Sequence, residues 1–411
     1  MIKLSQLPFK TQKTKIKISD NESTSILLQA WFIRQTMAWV YNYTTLWLRI
    51  LRKIEQIVRE EMNKFWASEV LLSWLSPMDI WKKTWRDDIA EYFKTPTWWD
   101  KFYRLNPTHE EIVVPLMQEF VKSYKDSETC VYQIQTKYRN EKRAKSWLLR
   151  WREFLMKDAY SFHLDDNEFQ KYYESMKEVY MNVFKRLWLW KDTYITLADW
   201  WNFTDKYSHE FQVILDIWED DIYICNDCNT SHNKEIVDLE NWFVCTNCNS
   251  KSYKIKKASE VWNIFPLETK FSKPFWVKML DKNNKEQDVI MWCYGIWVSR
   301  LMWVCAEYFL DKNWTINWPE NIAPATYYII VIWEENLEKA KEIALDLESS
   351  WEEVIIDDRM EKKIWFWQKA WDSELFWIPN RIVISPKTLE KWWYELKKRW
   401  EQEKIIYIKD Y

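Results

Sequence analysis

Apolar residues recur at helical spacing over residues 46–62. Charged residues fill the other positions, and one apolar stripe contains Ile50, Leu51, Ile54, Ile57, Val58 and Met62. This spacing predicts an amphipathic helix, followed by a short strand over 69–72. A second helix is predicted over 168–187, whose inner side carries Phe169, Tyr172, Tyr173, Met176, Val179, Tyr180, Val183 and Phe184. We expect these aromatic side chains to form core and not a ligand site.

Residues 131–156 change from a strand-like pattern to a polar one and back. Apolar and β-branched residues lead into a loop rich in Lys and Arg, and Phe154 and Leu155 follow it, which predicts two antiparallel strands joined by a basic loop. Arg139 and Glu141 are two residues apart, so on a strand their side chains share a face. The guanidinium can hold a phosphate through two donors, and the carboxylate can accept from an amine such as that of adenine. A solvated, charged hairpin is the alternative interpretation.

The C-terminal part alternates between strand and helix patterns. Strands are predicted over 327–332, 353–356 and 381–384, with a helix over 336–347. This alternation is typical of a parallel sheet. A local phosphate-binding patch, for which a solvated tail is the alternative, is offered by Lys387, Lys391, Lys397, Lys398 and Arg399.

Length and charge narrow the class of protein. With 411 residues the chain should form two or three domains. The net charge of −3 and the pI of about 6.0 give no global basic field, so any contact with RNA must use local patches. The N-terminus shows no secretory pattern, and no apolar run reaches the length of a membrane span. We therefore expect a soluble, cytoplasmic protein without a membrane partner.

Four of the seven cysteines form two CxxC pairs, Cys225 with Cys228 and Cys245 with Cys248. In a reducing compartment such pairs indicate a metal before disulfides. Four thiolates suit a structural, tetrahedral Zn²⁺ site, which leaves no position open for water. The asparagines that follow the pairs are suited to the left-handed turn of a zinc knuckle. A catalytic or redox role is the minor alternative, and the remaining three cysteines are expected to be buried thiols.

Glycine and tryptophan occur in unusual numbers. The chain contains 1 Gly and 33 Trp, whereas a typical glycine share of about 7% corresponds to about 29 residues. A chain of this size needs residues that tolerate positive φ at turns and helix ends, and tryptophan is poorly suited to this. We hypothesise that most tryptophans are glycine in the cell, because the gene uses UGA for glycine and was translated with UGA as tryptophan. A truly tryptophan-rich chain is the alternative.

Residues 135–163 read QTKYRNEKRAKSWLLRWREFLMKDAYSFH. This stretch resembles motif 2 of the class II aminoacyl-tRNA synthetases, and REFLMKDAYSFH is close to the bacterial prolyl-tRNA synthetases. The resemblance implies that Arg139 binds the α-phosphate and the amino-acid carboxylate. It also implies that Glu141 faces the adenine, that Phe154 stacks on it and that Arg150 contributes to ATP binding.

Residues 291–300 read MWCYGIWVSR and resemble motif 3 of the same family, GCYGIGVSR. The resemblance implies that Arg300 binds the γ-phosphate and that Ser299 lies at the ATP, as does Gln212 from another segment. The literal Trp292 and Trp297 would crowd the nucleotide. This crowding is a second reason to suspect glycine at both positions.

Two short segments resemble the proline pocket of the family. Residues 106–111 read NPTHEE, in which the family uses a Thr and a Glu, here Thr108 and Glu110. A buried carboxylate can hold the secondary ammonium of proline while a hydroxyl fixes its direction. Thr108 could instead open a capping box for a helix over 110–122. Residues 208–211, SHEF, resemble a family strand whose histidine, here His209, lines the proline site.

Other segments follow or depart from the family. The helix and strand over 46–72 match the layout of motif 1, which builds the dimer interface of the family, although Ser73 replaces its proline. The loop 200–206 replaces a glycine-rich run. Trp81 and Trp318 stand where the family has tryptophan, whereas most other tryptophan positions resemble glycine. Residues 260–265 and 269–272 also resemble segments of the family, and both are predicted to be strands.

These resemblances predict an α+β class II synthetase catalytic domain, an antiparallel sheet with flanking helices, in residues 1–221 and 258–322. A zinc-ribbon insertion is expected over 222–257, where bacterial relatives carry an editing domain, and an α/β anticodon-binding domain over 323–411. The implied reaction is the activation of L-proline with ATP and Mg²⁺ and its transfer to tRNA(Pro), in a homodimer without cis-editing. A catalytically inactive, RNA-binding or regulatory relative is the alternative.

Overall fold

The computed structural model describes residues 1–8, 11–12, 22–37, 40–98, 101–140, 151–198, 208–216, 220–237, 243–313, 315–361, 364–390, 393–398 and 404–407. The chain forms two compact units. Unit 1 comprises Met1–Met37, Tyr41–Lys53 and Ala306–Tyr411, and unit 2 comprises Ala38–Val40 and Ile54–Cys305. The predicted division after residues 221, 257 and 322 stays a prediction. None of the described helices combines the length and the apolar character needed to cross a bilayer.

The helices of the described residues are α1 (Glu22–Gln29), α2 (Thr45–Lys64), α3 (Met78–Lys83), α4 (Glu110–Met117), α5 (Asp166–Arg186), α6 (Val298–Tyr308), α7 (Leu337–Ser349), α8 (Phe366–Leu375) and α9 (Pro386–Leu389). The strands are β1 (Ile2–Lys3), β2 (Ile33–Met37), β3 (Val40–Tyr43), β4 (Ser68–Glu69), β5 (Leu75–Pro77), β6 (Lys94–Pro96), β7 (Phe102–Leu105), β8 (Thr129–Tyr138), β9 (Glu153–His163), β10 (Thr193–Ala198), β11 (Ser208–Ile214), β12 (Asp220–Cys225), β13 (Ser231–Asn233), β14 (Tyr253–Glu268), β15 (Lys278–Leu280), β16 (Glu286–Asp288), β17 (Ile290–Ile296), β18 (Tyr327–Val331), β19 (Val354–Asp357), β20 (Asn380–Ile384), β21 (Trp393–Lys398) and β22 (Lys404–Tyr407).

The two long predicted helices are confirmed. All six residues of the predicted apolar stripe of α2 are buried. α5 begins after Asp165, whose carboxylate accepts from the N–H groups of Asn167 and Glu168 and so acts as an N-cap. The predicted inner residues of α5 are buried, except that Tyr172 is partly exposed. Helical spacing therefore identified both the elements and their inner faces.

Unit 2 is built on a nine-stranded sheet with the order β11-β10-β13-β12-β14-β17-β9-β8-β4. β8 and β9 pair antiparallel, with Tyr138 opposite Glu153 at the end where the basic loop connects them. The predicted hairpin is therefore confirmed. β17 pairs antiparallel with both β9 and β14, which brings the strand of motif 3 next to the second strand of motif 2.

Pairing in this sheet shows which residues share a face, because successive side chains on a strand point to opposite sides. One row across the sheet consists of Glu210, Asn263, Gly295, Asp158 and Gln133. We call the side of this row the cleft face. The neighbouring row, on the side that we call the helix face, consists of His209, Ile264, Tyr294, Ala159 and Tyr132. α5 packs on the helix face, where Tyr180 contacts Phe211 and Trp262.

Three predicted elements of unit 2 differ from the structure. The strand expected over 69–72 is the shorter β4, which pairs parallel with β8. The helix expected over 110–122 ends at Met117. Residues 118–120 follow as turns, and a capping box of Ser123 and Asp126 then starts a new turn. Residues 269–272 form turns instead of a strand, since Glu268 adopts a φ of 48° that ends β14.

Unit 1 contains a six-stranded sheet with the order β1-β19-β18-β20-β21-β22. β18 pairs parallel with β19 and with β20, so the predicted parallel alternation is confirmed. The core of this unit joins the sheet to α7 through Ile329, Val331, Ile343, Leu347 and Ile356. Of the predicted basic patch, Lys387 lies in α9 and Lys397 and Lys398 lie on β21. The other two residues of the patch, Lys391 and Arg399, are outside the described residues.

Candidate active site

Arg139 lies where β8 ends beside the segment 106–110. Its Nε and Nη2 donate to the carbonyl of Pro107 at 3.4 and 3.3 Å, and its backbone N–H donates to the carbonyl of Arg152 at 2.9 Å. The guanidinium carbon lies 5.1 Å from the ring centroid of Phe154 on β9. Phe154 is buried and, like Asp158 four residues later, belongs to the cleft face.

Arg300 belongs to the first turn of α6, directly after β17. Trp297 stands between the strand and this helix, and its indole lies against two arginines. The guanidinium carbon of Arg300 is 3.5 Å from the ring centroid of Trp297, and that of Arg139 is 5.7 Å from it. The rings of Phe154 and Trp297 have centroids 4.4 Å apart. The structure thus brings three predicted ATP-binding residues together around one position, and an indole occupies that position.

Two other predicted ATP-binding residues, Ser299 and Gln212, also contact strands of the nine-stranded sheet or belong to it. The hydroxyl of Ser299 accepts from the N–H of Leu155 at 3.0 Å and so links α6 to β9. Arg300 is buried and donates to the carbonyl of Glu260 at 2.7 Å, with its Nη1 3.6 Å from the Glu260 carboxylate. Gln212 lies opposite Glu260 in the pairing of β11 with β14. Gln212 on β11 therefore lies next to Glu260 on β14, which is the partner of Arg300.

Thr108 and Glu110 contact each other at the start of α4. The Thr108 hydroxyl donates to the Glu110 carboxylate, with distances of 2.7 and 2.6 Å to its two oxygens. Glu110 also pairs with Nη1 of Arg86 at 3.1 Å. The N-cap of α4 is His109, which makes no side-chain cap hydrogen bond with the described residues. The capping-box alternative for Thr108 is wrong, because this hydroxyl binds a side chain and not the backbone of the helix.

Arg86 is a site residue that no sequence pattern indicated. It is buried, and its Nη1 is 3.1 Å from the carboxylates of both Glu110 and Glu111. Its Nη2 donates to the hydroxyl of Tyr92 at 3.0 Å. Burial raises the pKa of Glu111, and the charge of Arg86 opposes this shift. Arg86 lies in a stretch of turns without strand or helix periodicity, so only its contacts mark it.

The structure does not bring His209 together with Thr108 and Glu110. His209 belongs to the helix face, where its ring centroid is 5.3 Å from that of Tyr173 on α5, and burial lowers its pKa to about 3. The next residue, Glu210, is the one on the cleft face. Its carboxylate accepts from Gln212 at 2.8 Å and from Asn233 at 3.0 Å, and burial raises its pKa well above the usual range. The alternation along β11 is the physical reason for this correction.

The remaining predicted positions of this site fall outside the described residues. They are Glu141 and Arg150 in the basic loop, and the loop 200–206, which replaces the glycine-rich run of the family, lies outside the described residues as well. Of the doubtful tryptophans, Trp200, Trp201, Trp242 and Trp392 also lie there. Their predicted roles stay predictions.

The four cysteines of the CxxC pairs converge. Their Sγ atoms all lie within 4.8 Å of one another, and the pairs Cys225–Cys248 and Cys228–Cys245 are each 3.5 Å apart. A tetrahedral site with Zn–S bonds of about 2.3 Å separates its sulfur atoms by about 3.8 Å. The asparagines after the two pairs have φ of 60° and 58°, as predicted for zinc knuckles. The donor set and its spacing therefore fit a structural zinc ion, and the other three cysteines are buried as predicted.

Tryptophan occupies most of the left-handed backbone positions in the described part of the chain. Thirteen non-glycine residues there have positive φ, and eight of these are Trp31, Trp66, Trp85, Trp188, Trp276, Trp333, Trp351 and Trp377. After α7, the N–H of Trp351 donates to Glu348 and the N–H of Glu352 donates to Leu347. These two bonds define a Schellman motif, whose left-handed residue is usually glycine. A bulky residue at positive φ is an outlier.

Residues 93–309 match the model of the tRNA synthetase class II core domain (G, H, P, S and T). Over 397 residues the chain is 33% identical to the proline–tRNA ligase of Ehrlichia chaffeensis, covering 92% of this chain and 91% of that protein. The chain belongs to the proline–tRNA ligase family. A second member of the family, from Sulfurihydrogenibium sp., is 29% identical over 523 aligned residues, covering 91% of this chain and 92% of that protein.

The fold agrees with this family. The structure resembles that of the prolyl-tRNA synthetase from Cryptosporidium parvum complexed with L-proline and AMP, with a TM-score of 0.75. The match covers 97% of this chain and 75% of the other, at 15% sequence identity, so it concerns the fold alone. The class II catalytic fold predicted from motifs 2 and 3 is confirmed.

Proposed function

We propose that the chain is a proline–tRNA ligase, which activates L-proline with ATP to prolyl-adenylate and transfers the prolyl group to the 3′ end of tRNA(Pro). The observation that carries this proposal is the convergence of Arg139, Phe154 and Arg300 on one position of the cleft face. Two guanidinium groups suit the phosphates of a nucleotide, and an aromatic ring suits its base. Membership of the family supports the same reaction.

Each residue near this position has a proposed role. Arg139 binds the α-phosphate and the proline carboxylate, Arg300 binds the γ-phosphate, and Phe154 stacks on the adenine. Thr108 and Glu110 hold the secondary ammonium of proline. Arg86 balances the negative charge of the buried carboxylates. The proline carboxylate then attacks the α-phosphate in line and pyrophosphate leaves, so catalysis rests on positioning and charge stabilisation. No enzyme nucleophile takes part.

Metal ions and partners complete the proposal. Mg²⁺ prefers oxygen ligands, and the carboxylate of Glu260 beside Arg300 would be suited to hold it. A bound ion would neutralise charge at the phosphates. The four cysteines hold a structural Zn²⁺ that braces the ends of β12 and β14. We also propose that the chain acts as a cytoplasmic homodimer and that residues 323–411 bind the anticodon of the tRNA.

We infer that the chain does not edit mischarged tRNA in cis. The alignment with the Sulfurihydrogenibium protein spans 523 residues, which exceeds the 411 residues of this chain. That relative therefore carries an insertion that this chain lacks, in agreement with a short zinc ribbon in place of an editing domain. Alanine attached to tRNA(Pro) would then need a separate deacylase, and a deacylation assay with Ala-tRNA(Pro) tests this.

We propose further that most tryptophans of this chain are glycine in the cell. The eight tryptophans at positive φ support this, because six of them follow a helix directly, where glycine is the usual residue. The indole of Trp297 supports it independently, since the ring fills the position that the ATP phosphates would need. Trp81 differs from these: it is fully buried in α3, and its indole N–H donates to Ser76 at 2.7 Å.

A pyrophosphate exchange assay tests the function. The protein is made with glycine at the eight left-handed tryptophans and at Trp292 and Trp297, while Trp81 and Trp318 are kept. We expect exchange that depends on both proline and ATP. Absence of exchange from this protein, if it is folded, would favour the catalytically inactive alternative. The observation behind that alternative is that the indole of Trp297, if it is a true tryptophan, fills the ATP position. UGG codons at Trp292 and Trp297 in the gene would refute the recoding.

A further inference from the structure

A charged pair is buried on the cleft face of the nine-stranded sheet. Lys137 on β8 and Asp158 on β9 are 0% and 2% exposed, and Nζ of Lys137 is 2.6 Å from Oδ1 of Asp158. The other carboxylate oxygen accepts from Gln133 at 3.0 Å and from the hydroxyl of Tyr160 at 2.8 Å. A buried ion pair seldom adds stability beyond that of well-packed apolar residues. Its contribution is therefore to be sought in what Lys137 holds in place.

Lys137 also contacts the ring of His109. Its Nζ lies 2.5 Å from Nδ1, and the other ring nitrogen, Nε2, lies 3.0 Å from the carbonyl oxygen of Ser73. A carbonyl oxygen only accepts, so Nε2 carries the proton and Nδ1 accepts from the ammonium of Lys137. Burial, helped by the charge of Lys137, lowers the pKa of His109 to about 4. The ring is therefore neutral at pH 7 and is held at both nitrogens.

His109 separates the two residues of the proposed proline pocket, Thr108 and Glu110. Its backbone N–H donates to the hydroxyl of Tyr160 at 3.2 Å, and the same hydroxyl binds Asp158. The residues after Lys137 hold the same segment. The N–H of Tyr138 donates to the carbonyl of Asn106 at 3.4 Å, and Arg139 donates to that of Pro107. The last two residues of β8 and the residue after them thus fix the segment 106–109.

We propose that Lys137 is a positioning residue for proline, an inference that rests on the proposed function. Lys137 does not touch proline. It holds the ring of His109, and through His109 it fixes the direction of the Thr108 hydroxyl and the Glu110 carboxylate. The carboxylate of Asp158 holds this ammonium in place. Burial lowers the pKa of Lys137, and the charge of Asp158 opposes this shift. Because a displacement of about 1 Å can lower a rate by about 10²-fold, the loss of this support should weaken the recognition of proline more than that of ATP.

Two variants of the full chain test the proposal by pyrophosphate exchange. The parent protein for both is the chain with glycine at the eight left-handed tryptophans and at Trp292 and Trp297, in which the ATP site is open. Lys137→Met keeps the length of the side chain and removes the ammonium. His109→Phe keeps a ring and leaves the Lys137–Asp158 pair intact, so it gives an answer even where Lys137→Met does not fold. We expect each variant to raise KM for proline by about tenfold or more and to change KM for ATP by less than about threefold.

His163→Phe is the matched control. His163 is equally buried, but it lies on the helix face, where its Nε2 is 2.7 Å from the hydroxyl of Ser161. The substitution is the same in both proteins, so a general effect of removing a buried imidazole would appear in each. We expect His163→Phe to leave both KM values unchanged.

The outcomes separate the inference from the proposed function. Equal rises of the two KM values, or an unchanged KM for proline in His109→Phe, would overturn the role of Lys137. No exchange by the parent protein would instead refute the ligase activity. The ¹⁵N resonances of the His109 ring give a readout that needs no activity: we expect a protonated Nε2 and an unprotonated Nδ1. A protonated Nδ1 would exclude the contact from Lys137 and overturn the proposal.

Discussion

The guanidinium groups of Arg139 and Arg300 lie over the same indole, that of Trp297, at 5.7 and 3.5 Å from its ring centroid. The two arginines come from different motifs, one after the first strand of a hairpin and the other at the start of a helix. Two cations that converge on one place repel each other, and an anion bound between them removes this cost. The arrangement supports the proposed phosphate site, in which the indole stands where the phosphates would bind.

Replacing Trp297 should open this site. We expect Trp297→Gly to increase the affinity for ATP by more than about tenfold, which corresponds to about 1.4 kcal/mol, because the ring no longer fills the space between the two arginines. Isothermal titration calorimetry with ATP checks this. Trp276→Gly is the control, since Trp276 is also a tryptophan at positive φ but is 76% exposed. Equal affinity of Trp297→Gly and the parent would show that the ring is not the obstacle.

Glycine at the left-handed tryptophans should stabilise the fold. Trp66, Trp85 and Trp351 are almost fully exposed and have φ near 60°, a conformation that costs an L-residue with a side chain about 1–2 kcal/mol. We expect each change to glycine to raise the free energy of unfolding by about 1 kcal/mol, measured by urea denaturation.

Trp81→Gly should act in the opposite direction in the same assay. Trp81 is fully buried, so its removal leaves a cavity and should cost about 3–5 kcal/mol. A loss of stability at the exposed left-handed positions would contradict the assignment of glycine there.

The proposed phosphate contacts require guanidinium geometry and not charge alone. Lysine lacks the planar pair of donors, so we expect Arg300→Lys to lower kcat/KM for pyrophosphate exchange by about 10²-fold. Arg59→Lys is the matched control, because the guanidinium of Arg59 also pairs with two carboxylates, those of Glu55 and Glu69, but belongs to α2 and not to the proposed site. Comparable losses in both variants would indicate a general effect of the substitution and not a phosphate contact.

Zinc binding should depend on the converging cysteines. We expect about one zinc ion per chain by atomic emission and its loss in Cys225→Ser, together with faster proteolysis of residues 220–258, because metal binding is coupled to local folding. Cys305→Ala serves as the control, since Cys305 is a buried thiol away from the cluster. Full zinc content in Cys225→Ser would contradict a site of four thiolates.

The buried histidines should make stability depend on pH. Burial lowers the pKa of His163 from 6.5 to about 4. Between these values the unfolded chain binds a proton that the folded chain does not, so the free energy of unfolding falls as the pH decreases from 6.5 towards 4. The contribution of His163 reaches up to about 3 kcal/mol. Urea unfolding of His163→Phe at several pH values should show a flatter decrease than the parent, and parallel curves would exclude this contribution.

The elements of the fold that have a local period were visible in the sequence. The stripe of α2, the inner face of α5 and the two strands around the basic loop each follow from the spacing of apolar residues within one segment. The four cysteines were equally clear, because the ligands of a zinc knuckle are neighbours along the chain. The ends of the elements were less clear: α4 ends at Met117, although its pattern continues to residue 122.

By itself the sequence determined the long helices α2 and α5, the hairpin of β8 and β9, the parallel alternation of unit 1, the cysteine site and the two motifs with their arginines, because each of these depends on residues close together in the chain. Only the tertiary structure decided which side chains share a face and a site. It separated His209 from Glu210, although they are neighbours, since strand residues alternate between the cleft face and the helix face. It also brought Arg86 and Lys137 to the proposed proline pocket. These contacts join segments that are distant in the chain, and such contacts leave no period in the sequence from which they could be predicted.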